Sequence, residues 1–171
     1  LRVEAPNLGL LWTGAAGVFD RATMEPLKAD HGVRIASNTK TFVAAAALRL
    51  VEQGKVGLDS SIGRYLAPES IRILTRGGYD PGSITVRHLL NHTSGLFDYA
   101  MSPQFMKAVF QAPRHRWTRS EQVAFAVDSG SPVGGPGEKF HYSDTGYILL
   151  GEIIERTAGM PWVERYENWS D

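Results

Sequence analysis

The sequence predicts an α+β domain, and three observations carry that reading. Strand-like residues gather near the start, helical spacing takes over from Asn38, and strands and helices do not alternate as βαβ units would require.

The strand region is "LGLLWTGAAGVFD" (8–20), where apolar and aromatic residues surround glycines. It runs into the turn-forming "DRATMEPLKADHG", so a hairpin with a second strand at 33–36 is expected. The period then changes. Phe42, Ala45, Ala46, Arg49, Leu50 and Gln53 recur at helical spacing, and Gly54 supplies a stop. The stretch "VGLDSSIGRYL" is expected to open a short helix with Asp59 as its N-cap. In "ITVRHLLNHTSGL" a helix capped by Thr85 buries Leu89 and Leu90 and ends in a turn at "HTSG". Residues 102–110 and 118–127 are two further amphipathic helices; the second has Thr118 followed three residues later by Glu121, the spacing of a capping box. Glycines and prolines at 132–137 exclude regular structure there. An apolar helix over about 145–156 follows, stopped by Gly159 and Pro161. "HYSD" therefore falls on a loop just ahead of a helix.

Composition narrows the function. At 171 residues and 43% hydrophobic, the chain can build one domain with a core, or part of a larger one. Its 18 basic and 18 acidic residues cancel without forming blocks, which disfavours nucleic acid or an anionic membrane and favours a small molecule or peptide as ligand. Cysteine is absent, so disulfides and thiolate chemistry are excluded. The first residues, "LRVEAPNLGLLWTG", do not read as a signal peptide, and the longest apolar run, 42–48, is too short to span a bilayer.

One pair of residues stands out chemically. Ser37 is expected where a strand gives way to a helix, and Lys40, one turn along, shares its helical face. A serine hydroxyl is a weak nucleophile until a neighbour takes its proton, and the positive end of a helix stabilises the charge that develops. Lysine serves as that base only if its pKa is lowered; otherwise it is a fixed charge acting on another group. The bland alternative is a capping serine and a surface lysine, because Ser-x-x-Lys arises by chance at ordinary residue usage.

Other residues have plainer readings. His88 and His92 stand four apart, a spacing that can hold zinc, but no acidic residue lies between them as in His-Glu-x-x-His, so no metal and no cofactor is expected. "NHTSG" is read as a structural turn near the cleft, His115 as solvated beside two arginines, and Asp98 and Tyr99 as an ordinary loop, the alternative being that they line the substrate mouth. Phe97, Phe105, Phe110 and Trp117 are read as core aromatics. Gly14, Gly17, Gly134 and Gly135 lack the strand-to-helix setting of a phosphate loop.

Three stretches, "RIASNTKTFVAAAALRLVEQGKVGLDSSIGRYL", "ITVRHLLNHTSGL" and "PGEKFHYSDTGYILLGEIIERTAG", together resemble the serine β-lactamase and penicillin-binding-protein superfamily. The branch they are similar to holds class C β-lactamases, D-Ala-D-Ala carboxypeptidases and related esterases. The resemblance implies a β-lactamase/transpeptidase-like fold, an antiparallel sheet flanked by helices with a helical subdomain. The whole chain is then one partial domain: strands over 1–36, the nucleophile helix over 37–56, a helical region over 57–142, and a helix and tail over 143–171. It implies an acyl-enzyme on Ser37, with Lys40 and Tyr142 handling protons and the Ser37 N–H as half of an oxyanion hole. A cation such as Lys40 favours the phenolate form of a neighbouring tyrosine. Asp144 stands where the family's Tyr-x-Asn motif has Asn, a substrate-binding position; an ionised carboxylate there only accepts hydrogen bonds, which moves weight from β-lactams towards esters and peptides. The family's third motif, Lys-Thr-Gly or His-x-Gly on a strand, is not found after Trp162, so the closing strands of the sheet and the usual first helix are expected to be missing from this chain. Export to the periplasm or medium is implied only through the family's work on cell-wall peptides. The alternative is a non-catalytic relative that keeps the fold as a binding or sensor domain, or an inactive fragment.

Overall fold

The computed structural model describes residues 1–159, and the chain divides into two compact units, Leu1–Ala36 and Ser37–Asp171. The expected stop at Pro161 and the tail after it lie outside the described residues.

The first unit holds two short antiparallel pairs. Strand β1 (Arg2–Ala5) pairs with β2 (Leu10–Thr13), placing Arg2 opposite Thr13 and Ala5 opposite Leu10. Between them a 3-10 turn, Pro6–Leu8, is closed by Gly9, whose φ of 62° is the left-handed conformation glycine adopts without strain. Strand β3 (Val18–Asp20) pairs with β4 (Glu25–Pro26), and the Asp20 carboxylate accepts the Ala22 N–H at 2.7 Å to shape the turn. The expected strand at 33–36 does not form. Each strand pairs instead with a neighbour a few residues away, where closing the loop costs least.

The second unit is helical. Helix α1 (Thr39–Glu52) buries Val43, Ala46, Ala47 and Leu50, an i, i+3, i+4, i+7 stripe. This stripe is rotated by one residue from the expected one, and Phe42 is 42% exposed. Helix α2 (Pro68–Arg76) was not anticipated, although Pro68 at its first turn and Gly77 after its end are ordinary boundary signals. Asp59 caps no helix. It receives both Nε and an Nη of Arg87, at 2.6 and 2.9 Å, while Ser61 caps the adjacent 3-10 turn by accepting from Gly63 N–H.

Helix α3 (Val86–Leu90) starts at Thr85 as expected, with Leu89 fully buried and Leu90 partly so. Helices α4 (Pro103–Gln111) and α5 (Arg119–Ser129) begin at Ser102 and Thr118, whose hydroxyls accept from Phe105 N–H and Glu121 N–H. The Thr118/Glu121 capping box is formed. Phe105, Trp117 and Phe125 pack edge-on or tilted against one another, whereas Phe110 is 75% exposed and belongs to no core.

Helix α6 (Asp144–Ala158) is the axis of the unit. It buries Leu149, Leu150, Ile153 and Ile154 and packs against α1, α3 and α5. The buried Glu152 turns its carboxylate to the start of α2, accepting Ala67 N–H at 2.5 Å and the Ser70 hydroxyl at 2.6 Å. A carboxylate there satisfies an open helix N–H and complements the helix dipole. The axis that carries Asp144 is thereby tied to the rest of the helical core.

Candidate active site

Ser37 is the middle residue of a 3-10 turn, Ala36–Asn38, that runs directly into α1. The residue before it, Ala36, has a φ of 46°, a left-handed conformation that costs a non-glycine residue roughly 1–2 kcal/mol. Strain of this kind persists only where the surroundings enforce it. Lys40, one turn into α1, donates from Nζ to Ser37 Oγ at 3.4 Å.

Tyr142 reaches the same oxygen from the other end of the unit. Its hydroxyl donates to Ser37 Oγ at 2.9 Å. Two loops hold it there. The "HTSG" turn and the glycine-rich loop before Tyr142 are joined by backbone bonds: Val133 N–H to Gly95 C=O at 3.0 Å, Gly137 N–H to Thr93 C=O at 2.7 Å, and His141 N–H to His92 C=O at 2.8 Å. The approach is so close that a Cβ on Gly95, itself at φ 76°, would lie 2.1 Å from the Gly134 carbonyl oxygen. Sequence reasoning saw both loops but not their pairing; the glycines at 95 and 137, both at positive φ, were its signal.

Asp144, the first residue of α6, forms an ion pair with Lys40 through Oδ1. The Lys40 ammonium also lies 4.8 Å from the centre of the Tyr142 ring and 5.5 Å from that of Tyr147. Burial opposes its charge, but hydrogen bonds and charge from Asp144 and Tyr142 outweigh burial and raise its pKa above the ordinary lysine value. The charged form of Lys40 is thereby favoured. All four expected site residues, Ser37, Lys40, Tyr142 and Asp144, come together in the second unit.

Two further residues shape the cluster. Buried Asp98 accepts Ala100 N–H and Asp144 N–H, both at 3.2 Å, so it caps the start of α6. Burial, with the charge of Asp144, raises the pKa of its carboxyl. His92 stacks on Tyr142, with ring centres 4.4 Å apart, and on Tyr147 at 5.0 Å; its Nδ1 accepts Ser143 N–H at 3.1 Å. The Nδ1 of His88 accepts Thr85 N–H at 3.2 Å. Each histidine thus commits one ring nitrogen to the backbone. His115 is partly exposed and lies 3.1 Å from Glu121. Beside Lys40 and Asp144 opens a cleft of about 420 Å³, bordered by Tyr99, Trp117, Gln122 and Tyr147. Tyr99, expected on an ordinary loop, is buried at the edge of this cleft and donates to Gln122 at 2.5 Å.

The chain is similar to several known proteins. The chain is 30% identical over 158 residues to Penicillin-binding protein 4* of Bacillus subtilis, covering 91% of this chain and 32% of that protein. It is 33% identical over 156 residues to Esterase EstB of Burkholderia gladioli, covering 89% and 39%. Among solved structures, a D-stereospecific amidohydrolase from Streptomyces superposes with a TM-score of 0.74 at 34% identity, over 82% of this chain and 42% of that one. A penicillin-binding protein from Bacillus halodurans gives 0.71 at 28% identity, over 92% and 44%. The fold is therefore that of the β-lactamase/transpeptidase class, and the chain spans roughly a third of the curated relatives' length and under half of these solved chains. The family model described as Beta-lactamase matches residues 7–168, and with that match this chain belongs to the Beta-lactamase family.

Proposed function

We propose that this chain carries the acylation centre of a serine hydrolase, with Ser37 as nucleophile, Tyr142 as proton acceptor and donor, and Lys40 as a fixed cation. One observation carries the reading: Ser37 Oγ lies within reach of both the Tyr142 hydroxyl, at 2.9 Å, and Lys40 Nζ, at 3.4 Å. A nucleophile beside a base oriented by a third group is the general signature of such sites.

In this mechanism the Ser37 hydroxyl proton passes to the Tyr142 oxygen as Oγ bonds to the substrate carbonyl carbon, while the hydroxyl proton that Tyr142 carries moves on to the departing amine or alcohol. The Lys40 ammonium lies against both side chains and offsets the negative charge that develops as the protons move. The Ser37 N–H, in the turn that opens α1, donates to the carbonyl oxygen as negative charge develops there. The amine or alcohol leaves with the proton from Tyr142, Tyr142 keeps the one from Ser37, and water releases the acyl group by the same steps in reverse.

The substrate class we favour is a small ester or an amino-acid amide rather than a penicillin. The observation behind this preference is Asp144. An amide at this place offers N–H donors to a substrate carbonyl; this carboxylate offers none and is engaged with Lys40. Relatives named as an esterase and a D-stereospecific amidohydrolase support the preference. The test is turnover of a short-chain p-nitrophenyl ester, D-phenylalanine amide and benzylpenicillin, in parallel with Ser37→Ala. Ester or amide turnover that disappears in the variant supports the reading; turnover of penicillin alone, or activity that survives in Ser37→Ala, contradicts it.

A further inference from the structure

We propose that His92 is the positioning residue for Tyr142, acting as a neutral imidazole protonated on Nε2. The proposal rests on the reading of Tyr142 as the proton-handling group and adds what fixes it there.

Three contacts converge on this residue. Ser143 N–H can only donate, so Nδ1, 3.1 Å away, must be the acceptor and the ring proton must sit on Nε2. The His92 carbonyl accepts His141 N–H at 2.8 Å, so backbone and side chain together hold the residues on either side of Tyr142. Between those anchors the imidazole lies nearly flat on the phenol ring, with an interplanar angle of 26°. His92 itself has a φ of 59°, a left-handed conformation in which histidine, asparagine and aspartate are the commoner non-glycine residues. The turn is bent so that one side chain reaches both the backbone and the ring.

The charged and titratable groups facing His92 are Lys40 from α1, Asp144 and Tyr147 from α6, and Tyr142 from the loop. Burial, and then the Lys40 charge, lower the histidine pKa, with Asp144 opposing them. Protonation would set an N–H at Nδ1 against the Ser143 N–H and bring a second cation towards Lys40. Tyr142 is then released from its place over Ser37.

Long-range proton–nitrogen spectra of the full 171-residue chain test this without any substrate. Near neutral pH, Nδ1 of His92 should be unprotonated. As the ring titrates below the ordinary histidine range, the Ser143 amide and the Tyr142 ring resonances should move with the same midpoint. A proton on Nδ1 at neutral pH, or Tyr142 resonances indifferent to this titration, would overturn the proposal. Fluorophosphonate labelling of Ser37 supplies the second readout. His92→Asn keeps an acceptor and tolerates the backbone, and should label within about threefold of wild type; His92→Phe keeps only the ring and should be slower by about tenfold, the effect of one lost hydrogen bond. Equal rates in both variants would contradict the assignment. A wild type that does not label at all sinks the hydrolase reading, while the spectra still decide the role of His92.

Discussion

The Tyr142 hydroxyl donates to Ser37 Oγ at 2.9 Å although 105 residues of chain separate them. Nothing local holds this contact. It depends on the pairing of the "HTSG" turn with the glycine-rich loop, and on α6 holding Asp144 against Lys40.

Gly95 is the most vulnerable point of that pairing. An added methyl would meet a backbone oxygen at 2.1 Å and sit at a φ of 76°. Gly95→Ala is expected to cost roughly 1–3 kcal/mol for backbone strain and a similar amount for overpacking, read in urea unfolding. A loss below about 1 kcal/mol, an ordinary surface effect, would mean that the two loops are not locked together.

The Lys40–Asp144 ion pair predicts a pH signature. Lys40 has a folded pKa raised above its unfolded value, so the stability it contributes is fully present below the unfolded value near 10.4 and is lost as pH rises through the folded one. Asp144→Asn should therefore destabilise the protein at pH 7 by about 1–2 kcal/mol, with the gap from wild type narrowing above about pH 10.4. Unfolding curves at neutral and strongly alkaline pH check this, and a gap that widens with pH would contradict it. The same variant removes the charge that offsets Lys40 near Tyr142, so Ser37 should label faster at neutral pH.

Glu152 separates architecture from chemistry. Its carboxylate accepts Ala67 N–H and the Ser70 hydroxyl in the core, away from Ser37. Glu152→Ala leaves both donors without this partner and should cost about 2–4 kcal/mol in thermal or urea unfolding. The folded fraction should label at nearly the wild-type rate; a variant as stable as wild type would show that the carboxylate does not hold α2 to α6.

His92 follows the opposite sign from Lys40. Its pKa is lowered in the folded protein, so its contribution to stability is present above the unfolded value near 6.5 and is lost as pH falls through the folded one. His92→Asn should lose part of the acid sensitivity of unfolding below about pH 6.5, and unchanged sensitivity would place that titration elsewhere.

Much of the candidate site was legible in the sequence because its residues lie in short motifs. Ser37 and Lys40 share one helical turn, and Tyr142 and Asp144 flank a helix start that Ser143 marks as an N-cap. Helix boundaries at Thr85, Ser102 and Thr118 were also readable, since capping is a local property. The long-range partners were not. Asp59 has the composition of a cap, but the guanidinium of Arg87 captures it, 28 residues away. Asp98 and His92 look like ordinary turn residues until the fold brings Asp144 and Tyr142 against them. The strand at 33–36 failed for a related reason, because pattern alone does not select among pairing partners.

The most direct test of the central claim is intact-protein mass spectrometry of the chain after brief exposure to a fluorophosphonate, followed by peptide mapping. The account predicts one adduct per molecule, located on Ser37, absent in Ser37→Ala and much slower to form in Tyr142→Phe, with both variants folded. An adduct on another residue, or labelling of Ser37 that is unaffected by loss of the Tyr142 hydroxyl, would contradict it.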